Sequence, residues 1–262
     1  MFGEPDEYLF HYTTLAVALE HILEKATIRL SPFSAMRDPR ESQAWLITGG
    51  GYGGVDEAQY QEYSKKMNAL KHEHKLLSLT QDDLSRHHSD EDPVYRRGFA
   101  RPRLWEQYAQ SHRGVCLCFN RETLIESLCG QLGTPERPLT HGAVEYRDDR
   151  LGQELFVDLT PDLGVDELVE ANLDRYFDAL FLTKLRDWET ENEYRFVVRT
   201  DKQGYEFASI ETSLRAVCLG GEVARTYVPS FTALCEGRGW EVLQMRWENG
   251  YPRIRTIPNA GY

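Results

Sequence analysis

The chain has 262 residues, of which 41% are hydrophobic and 11% are aromatic. This composition is typical of a globular protein with a buried core, and it argues against general disorder. The formal net charge of −12 at pH 7 argues against nonspecific binding to nucleic acid or anionic membranes. Because the sequence lacks both a signal-peptide pattern and the roughly 20-residue apolar run that spans a bilayer, we expect no membrane association and a cytoplasmic protein.

Cysteine and histidine spacing predicts no metal site. The cysteines, at positions 116, 118, 129, 218 and 235, form an odd set without CxxC spacing, which favours reduced thiols. The histidines at 72, 74, 87 and 88 do not follow a ligand pattern. No long linker or repeat divides the chain, so we predict one domain over residues 1–262. It carries a charged surface loop at 81–100 and a C-terminal tail at 249–262 that adds an edge strand.

Apolar patterns predict strands and helices that alternate along the chain. Strands are predicted at residues 8–14, 27–31, 76–80, 115–119, 143–146, 194–198, 214–219 and 240–247. Helices are predicted after the first strand and at residues 56–75, 102–112, 121–129, 162–185 and 222–235. The glycine-rich stretch 49–54 lacks a phosphate-loop pattern, and a flexible hinge or lid is the better interpretation.

The helix predicted at 102–112 carries an aromatic face. Trp105, Tyr108 and His112 follow helical spacing, and Gly114 is expected to cap the helix C-terminus. Core packing is the better interpretation for Trp105. Tyr108 is as well explained by packing as by stacking on a flat heterocycle.

Two carboxylates precede the predicted strand 194–198. Glu191 and Glu193 are two residues apart, so in extended chain both side chains leave one face. Such a pair can divide labour, with one acid orienting a hydroxyl and the other stabilising positive charge on a reacting carbon. A solvated strand entrance, with Lys184 and Arg195 as surface partners of these acids, explains the same pattern.

The chain contains, in order, the motifs His11-Tyr12-Thr13, Arg29-Leu30-Ser31, Asp38-Pro39-x-Glu41, Trp105-x-x-Tyr108 with His112, and Lys184-x-x-x-Trp188-x-x-Glu191-x-Glu193-Tyr194-Arg195. Between residues 8 and 220 these motifs resemble the domain-of-unknown-function family 2971. Their order is also similar to that of ADP-ribosyltransferases. This resemblance implies an α+β fold with a twisted, mostly antiparallel split sheet and flanking helices.

The same resemblance implies NAD as the substrate and a set of roles for the site. His11 would bond a ribose hydroxyl, the backbone of Tyr12 would hold the carboxamide, and Arg29 would contact the pyrophosphate. Glu193 would be the catalytic carboxylate, and Glu191 would orient the acceptor. The remaining predicted cofactor contacts are Thr13, Ser31, Tyr108, Trp188 and Arg195.

One alternative concerns the two acids. If Arg195 pairs with Glu193 on the strand, Glu193 becomes structural and Glu191 is the better catalytic candidate. The sequence leaves this choice open.

Three functions remain open from the sequence. The first is an NAD-consuming transferase that modifies a protein or nucleic acid, a reaction suited to a toxin or antiviral effector with a neutralising or activating partner protein. The second is a metal-independent nuclease or phosphodiesterase that uses His11 and His112 as acid and base, with Arg29 and Lys184 on the phosphate. The third is a non-catalytic module that senses NAD or ADP-ribose.

Overall fold

The computed structural model describes residues 4, 6–49, 57–85, 93–149, 155–157 and 164–257. Within these ranges the strands are β1 (Tyr8–Thr13), β2 (Thr27–Pro32), β3 (Thr48–Gly49), β4 (His74–Gln81), β5 (Val115–Asn120), β6 (Thr140–Ala143), β7 (Glu145–Tyr146), β8 (Phe156–Val157), β9 (Thr183–Lys184), β10 (Glu193–Arg199), β11 (Glu206–Ser209), β12 (Leu214–Leu219), β13 (Glu241–Glu248) and β14 (Tyr251–Thr256). The glycine-rich residues 50–54 and the histidines at 87 and 88 lie outside the described residues.

The α-helices are α1 (Leu15–Val17), α2 (Pro39–Ser42), α3 (Glu57–Glu73), α4 (Pro102–Gln107), α5 (Arg121–Leu132), α6 (Val165–Arg175), α7 (Phe177–Phe181) and α8 (Val228–Glu236). A π-helical segment, Ala18–Leu23, continues α1. Shorter 3₁₀ helices cover Phe33–Ala35, Pro93–Arg96, Arg186–Glu191 and Arg225–Tyr227. None of the described helices combines the length and the apolar character that a membrane crossing requires.

Most strands form one large sheet whose neighbours run antiparallel, except for the parallel pair β12–β13. The order β11-β2-β4-β1-β5-β12-β13-β14 places β5 centrally, while β10 pairs with β4 and β6. This confirms the predicted α+β class with a mostly antiparallel sheet. The strand predicted in the C-terminal tail is also confirmed, because β14 pairs with β13 at the edge.

Strand β4 is where the sheet splits. One edge of β4 pairs with β10 along its whole length. The opposite edge is shared, since β1 pairs at Thr80 and Gln81 and β2 pairs at Lys75 and Leu76. Strands β1 and β2 therefore diverge from the same edge of β4, and the backbone of Ser78 between them is left open to a side chain.

Alternation along β4 and β10 gives the sheet two different faces. On one face, Leu77, Leu79 and Phe196 belong to the largest hydrophobic cluster. On the other, Arg195 stands opposite Ser78 in the strand register. Polar side chains thus separate two further apolar clusters on this face, one beneath α4 and one beneath α3, α6 and α7. A polar cavity forms in this gap.

The helix predicted at 162–185 is divided into α6 and α7 and ends four residues early, at Phe181. The helical backbone breaks at Tyr176, which has φ −113° and ψ 17°, and α7 follows. The Phe181 ring packs against Phe33 and stacks on His74, which favours this break over a continuous helix. Lys184, predicted at a helix end, instead lies in β9, which pairs with β7.

The helix predicted at 102–112 ends early, at Gln107. Gln110, Ser111 and His112 all have positive φ, between 49° and 66°, so the chain turns with left-handed residues instead of a glycine cap. Gly114 begins the approach to β5, where a Cβ atom would lie 2.3 Å from the carbonyl oxygen of Thr13. This close approach, not helix capping, explains the glycine.

The predicted surface loop 81–100 is buried at its C-terminal end. Phe99 is 4% exposed, and its ring packs edge-on against Phe10 at 5.8 Å between centroids. Gly98 lies so close to the Phe10 ring that a Cβ atom would be 2.3 Å from it. This end of the segment therefore belongs to the core beneath α4.

Candidate functional site

A cavity of about 380 Å³ opens on the polar part of the sheet, beside the split in β4. This volume lies in the range of small-molecule sites. The residues predicted from sequence that line it are His11, Tyr12, Arg29, Ser31, Tyr108, Trp188, Glu191, Glu193 and Arg195. Thr13, which was predicted with them, is not among its lining residues. Glu41 and Lys184 also line the cavity, and neither was predicted as a cofactor or catalytic residue of the transferase.

Glu193 forms a buried, bidentate ion pair with Arg195. The Arg195 Nε donates to Glu193 Oε1 at 2.6 Å and Nη2 donates to Oε2 at 3.3 Å. The two side chains meet because they are two residues apart on β10 and share a face. Lys184 Nζ lies 3.1 Å from Glu193 Oε2. Burial opposes ionisation, but the charges of Arg195 and Lys184 outweigh it and lower the pKa of Glu193 to about 2.

Glu191 shares Lys184 with Glu193 and has Tyr108 as its other partner. Tyr108 donates its hydroxyl to Glu191 Oε1 at 2.5 Å, and Lys184 Nζ donates to Oε2 at 2.6 Å. The Glu191 side chain is 10% exposed, against 4% for Glu193. Glu191 is therefore the carboxylate with more access from the cavity, and it lacks a guanidinium partner.

The two acids converge without sharing a strand face, contrary to the prediction. Glu191 ends the 3₁₀ helix Arg186–Glu191, and Asn192 follows in the left-handed conformation with φ 44°. Only Glu193 belongs to β10. The side chain of Asn192 donates to the carbonyl oxygens of Gln81 and Asp82, which holds this turn against the end of β4.

Glu41 reaches the same guanidinium from another part of the chain. Arg195 Nη2 donates to Glu41 Oε1, and Nη1 donates to the carbonyl oxygen of Phe181 at 2.7 Å. Glu41 is 2% exposed. Burial raises the pKa of Glu41 to about 7, although the charge of Arg195 opposes this. The Asp38-Pro39-x-Glu41 motif was noticed in the sequence, but nothing in its local pattern indicated a contact with β10.

His11 fills the split between β1 and β2. Its Nδ1 lies 3.2 Å from the carbonyl oxygen of Ser78, which has no strand partner on that edge. Burial lowers the pKa of His11, the bond to Ser78 opposes this, and the charge of Arg29 lowers it further. The imidazole is therefore neutral near pH 7 and can donate or accept a hydrogen bond.

A second cavity of about 500 Å³ adjoins the first. The residues that line both are His11, Arg29, Ser31, Met36, Ser78 and Tyr205. The second cavity also contains Thr13, His21 and Lys25, with the exposed ring of Phe207. The two cavities form one cleft, with carboxylates at one end and mainly basic and apolar groups at the other.

The aromatic residues of the site are not equivalent. Tyr12 donates its hydroxyl to Gly98 O at 2.7 Å and packs edge-on against Trp105 at 5.2 Å. Its side chain thus belongs to the core, and its backbone is what the cleft can use. The Tyr108 hydroxyl is hydrogen-bonded to Glu191. Trp188 has a cationic neighbour, since Lys184 Nζ lies 4.6 Å from its ring centroid. The Trp188 ring is partly exposed beside the cavity.

His112 does not join His11. It lines a separate cavity of about 300 Å³ with Trp247, and its ring is parallel to the buried Trp105 ring. The acid–base pair required by the nuclease hypothesis is therefore not assembled. Among the described residues, no group of three or more His, Cys, Asp and Glu side chains is arranged to hold a metal ion.

Residues 104–196 match the family described as "Protein of unknown function (DUF2971)". This confirms the family resemblance over a shorter segment than the predicted span of residues 8–220. Tyr108, Trp188, Glu191 and Glu193 lie inside the matched segment, whereas His11 lies outside it. Neither the curated proteins nor the solved structures contain a match to the chain.

Proposed function

We propose that this protein is an NAD-consuming ADP-ribosyltransferase that transfers ADP-ribose to a macromolecular acceptor, a protein or a nucleic acid. The observation that carries the proposal is a single cleft that contains both the neutral imidazole of His11 and the carboxylates of Glu191 and Glu193. These groups lie about 180 positions apart in the sequence. A dinucleotide is elongated, and the two adjoining cavities supply a cleft with two compartments.

The chemistry of each compartment matches one part of NAD. Arg29, with Lys25 further along the cleft, supplies positive charge for the pyrophosphate, and His21 lines the same part of the cleft. His11 can bond a ribose hydroxyl as a neutral group, without adding charge beside the reacting carbon. The backbone of Tyr12 is the predicted contact of the carboxamide.

Glu191 is the better candidate for the carboxylate beneath the ribose. In the reaction, the bond between the nicotinamide nitrogen and the ribose C1′ breaks, and its electron pair leaves with nicotinamide. The acceptor nucleophile then bonds to C1′ and loses its proton. Positive charge builds up on the ribose in between, and a nearby carboxylate stabilises it. Glu193 is held by Arg195 and also contacts Lys184, so its role is to position Lys184, whose Nζ donates to Glu191.

Release of nicotinamide from NAD, measured by liquid chromatography, tests this assignment. Glu191→Gln is expected to lower the rate by at least about 100-fold, the range of charge-stabilising groups in enzymes, with unchanged circular dichroism. Glu189→Gln is the matched control, since Glu189 is exposed on the same 3₁₀ helix, and it should retain full activity. The proposal is wrong if the Glu191→Gln and Glu193→Gln variants both turn over like the wild type.

A second candidate is a module that binds NAD or ADP-ribose without turnover. It is favoured by the engagement of both carboxylates, since Glu191 is bonded to Tyr108 and Lys184 and Glu193 to Arg195. Calorimetric binding of NAD by a protein that releases no nicotinamide over hours would select this function. An active transferase, by contrast, would consume cellular NAD. Such an enzyme suits a cytoplasmic toxin or antiviral defence effector controlled by a neutralising or activating partner.

A further inference from the structure

Arg195 is shared between two carboxylates that come from different parts of the chain. Its side chain is 1% exposed. Nε and Nη2 donate to Glu193, Nη2 also donates to Glu41, and Nη1 donates to a backbone carbonyl. Water cannot replace any of these partners at such burial. Glu41 and Glu193 therefore compete for the hydrogen bonds of one guanidinium group, because Nη2 donates to both.

The segment that carries Glu41 is held in place independently of Arg195. Asp38 caps α2 by accepting from the Arg40 backbone nitrogen at 2.9 Å, and its second oxygen accepts from the Leu185 backbone nitrogen at 3.4 Å. Asp38 is 1% exposed. This links α2 to the chain just after β9, which carries Lys184. The Asp38 hydrogen bonds thus hold the α2 backbone beside the site, and this places the Glu41 side chain in it.

The charges that face Glu41 come from several elements. Arg195 and Glu193 face it from β10, Lys184 from β9 and Lys71 from α3. Glu191 contacts the same Lys184. In the ion-pair network joined by Arg195 and Lys184, three carboxylates face two cations, which gives this network a formal charge of 2 − 3 = −1. A proton on Glu41 reduces this charge to zero.

We propose that Glu41 is a positioning residue that sets the net charge of the site, so that the site is active with Glu41 ionised and suppressed when Glu41 binds a proton. This inference rests on the proposed function, because the ionised network is the one that opposes positive charge on the ribose. The pKa of Glu41, raised by burial to about 7, places the change near neutral pH. Glu41 itself acts through Arg195 and Glu193.

The first test is the pH profile of nicotinamide release between pH 5.5 and 8.5 in wild type and Glu41→Gln. The wild-type kcat should fall about tenfold per pH unit below pH 7. The glutamine variant should lose that limb and have a low kcat at every pH, with a KM for NAD within about threefold of wild type. Glu41→Asp should restore the limb. Glu73→Gln, which removes an outer partner of Arg199 at the far end of β10, should behave like wild type.

The second test needs no turnover. In protein labelled at glutamate side-chain carboxyls with ¹³C, wild type should show one carboxyl titrating near pH 7 that is missing from Glu41→Gln. The ¹⁵N resonance of Arg195 Nε should shift with the same midpoint. If NAD is not consumed but both signals titrate, the transferase proposal fails while the charge-setting contact holds. If neither signal titrates near neutral pH, or Glu41→Gln keeps the wild-type pH limb, the inference about Glu41 is overturned.

Discussion

Replacing Arg195 with methionine is expected to destabilise the protein by about 3–5 kcal/mol at pH 8. The substitution fills similar volume but leaves Glu193 and Glu41 buried without their guanidinium partner. Removing one partner of a buried ion pair costs this much because the remaining charge has lost its water without compensation. Lys184 still contacts Glu193, so Glu41 is the acid left without a cation in hydrogen-bond contact.

The loss of stability caused by Arg195→Met should be smaller at pH 6 than at pH 8. In the wild type, the pKa of Glu41 is raised from 4.5 to about 7, so folding favours the protonated form. Its contribution to stability is present in full below about pH 4.5 and is lost as pH rises through 7. Without Arg195 the pKa of Glu41 rises further, and stability continues to fall above pH 7. Each proton bound only in the folded state changes the free energy by about 1.4 kcal/mol per pH unit.

Urea unfolding followed by tryptophan fluorescence at pH 6 and pH 8 measures both effects, with an unchanged m-value as the sign of a comparable transition. Arg199→Met is the matched control on the same strand. Arg199 pairs with Glu73 and Glu170 near the surface, with its side chain 23% exposed, so its loss should cost at most about 1 kcal/mol. Equal destabilisation by the two substitutions would refute the reasoning from burial.

Three further predictions use the same unfolding and turnover measurements. Gly114→Ala should destabilise the protein by about 1–3 kcal/mol through overpacking, because its Cβ would lie 2.3 Å from a β1 carbonyl oxygen. The control Gly130→Ala, in open space within α5, should leave stability unchanged or raise it by up to about 1 kcal/mol. Equal effects of the two substitutions would contradict the close approach at Gly114. Tyr108→Phe removes the hydroxyl bonded to Glu191 and should lower kcat by about tenfold, equivalent to about 1.4 kcal/mol. An unchanged kcat would show that this hydroxyl does not contribute to turnover. Relative to Glu41→Gln, wild-type stability should fall by on the order of 2–3 kcal/mol between pH 5 and pH 8, and a constant difference would show that the carboxyl does not titrate in this range.

Local pattern was sufficient for much of the sheet and for one part of the site. Apolar runs of strand length predicted β4, β5 and β10, and α3 followed from its polar, helix-forming sequence. The two-residue spacing of Glu193 and Arg195 puts both side chains on one strand face, which made their pairing one of the alternatives, and the structure shows that the pair forms. The long helix predicted up to Leu185 breaks at Tyr176 and ends at Phe181, where the Phe181 ring packs against Phe33 and His74.

The sequence by itself determined most of the long strands and helices, because their apolar patterns depend on neighbours a few residues away. Only the tertiary structure decided that β1 and β2 diverge from one edge of β4, that Glu41 meets Arg195 across 154 residues, and that Tyr108 bonds Glu191. Such contacts are made by strand pairing and by the docking of α2. A short motif does not indicate which distant residue it will contact. The charged groups that make up the site are therefore known only from the folded structure.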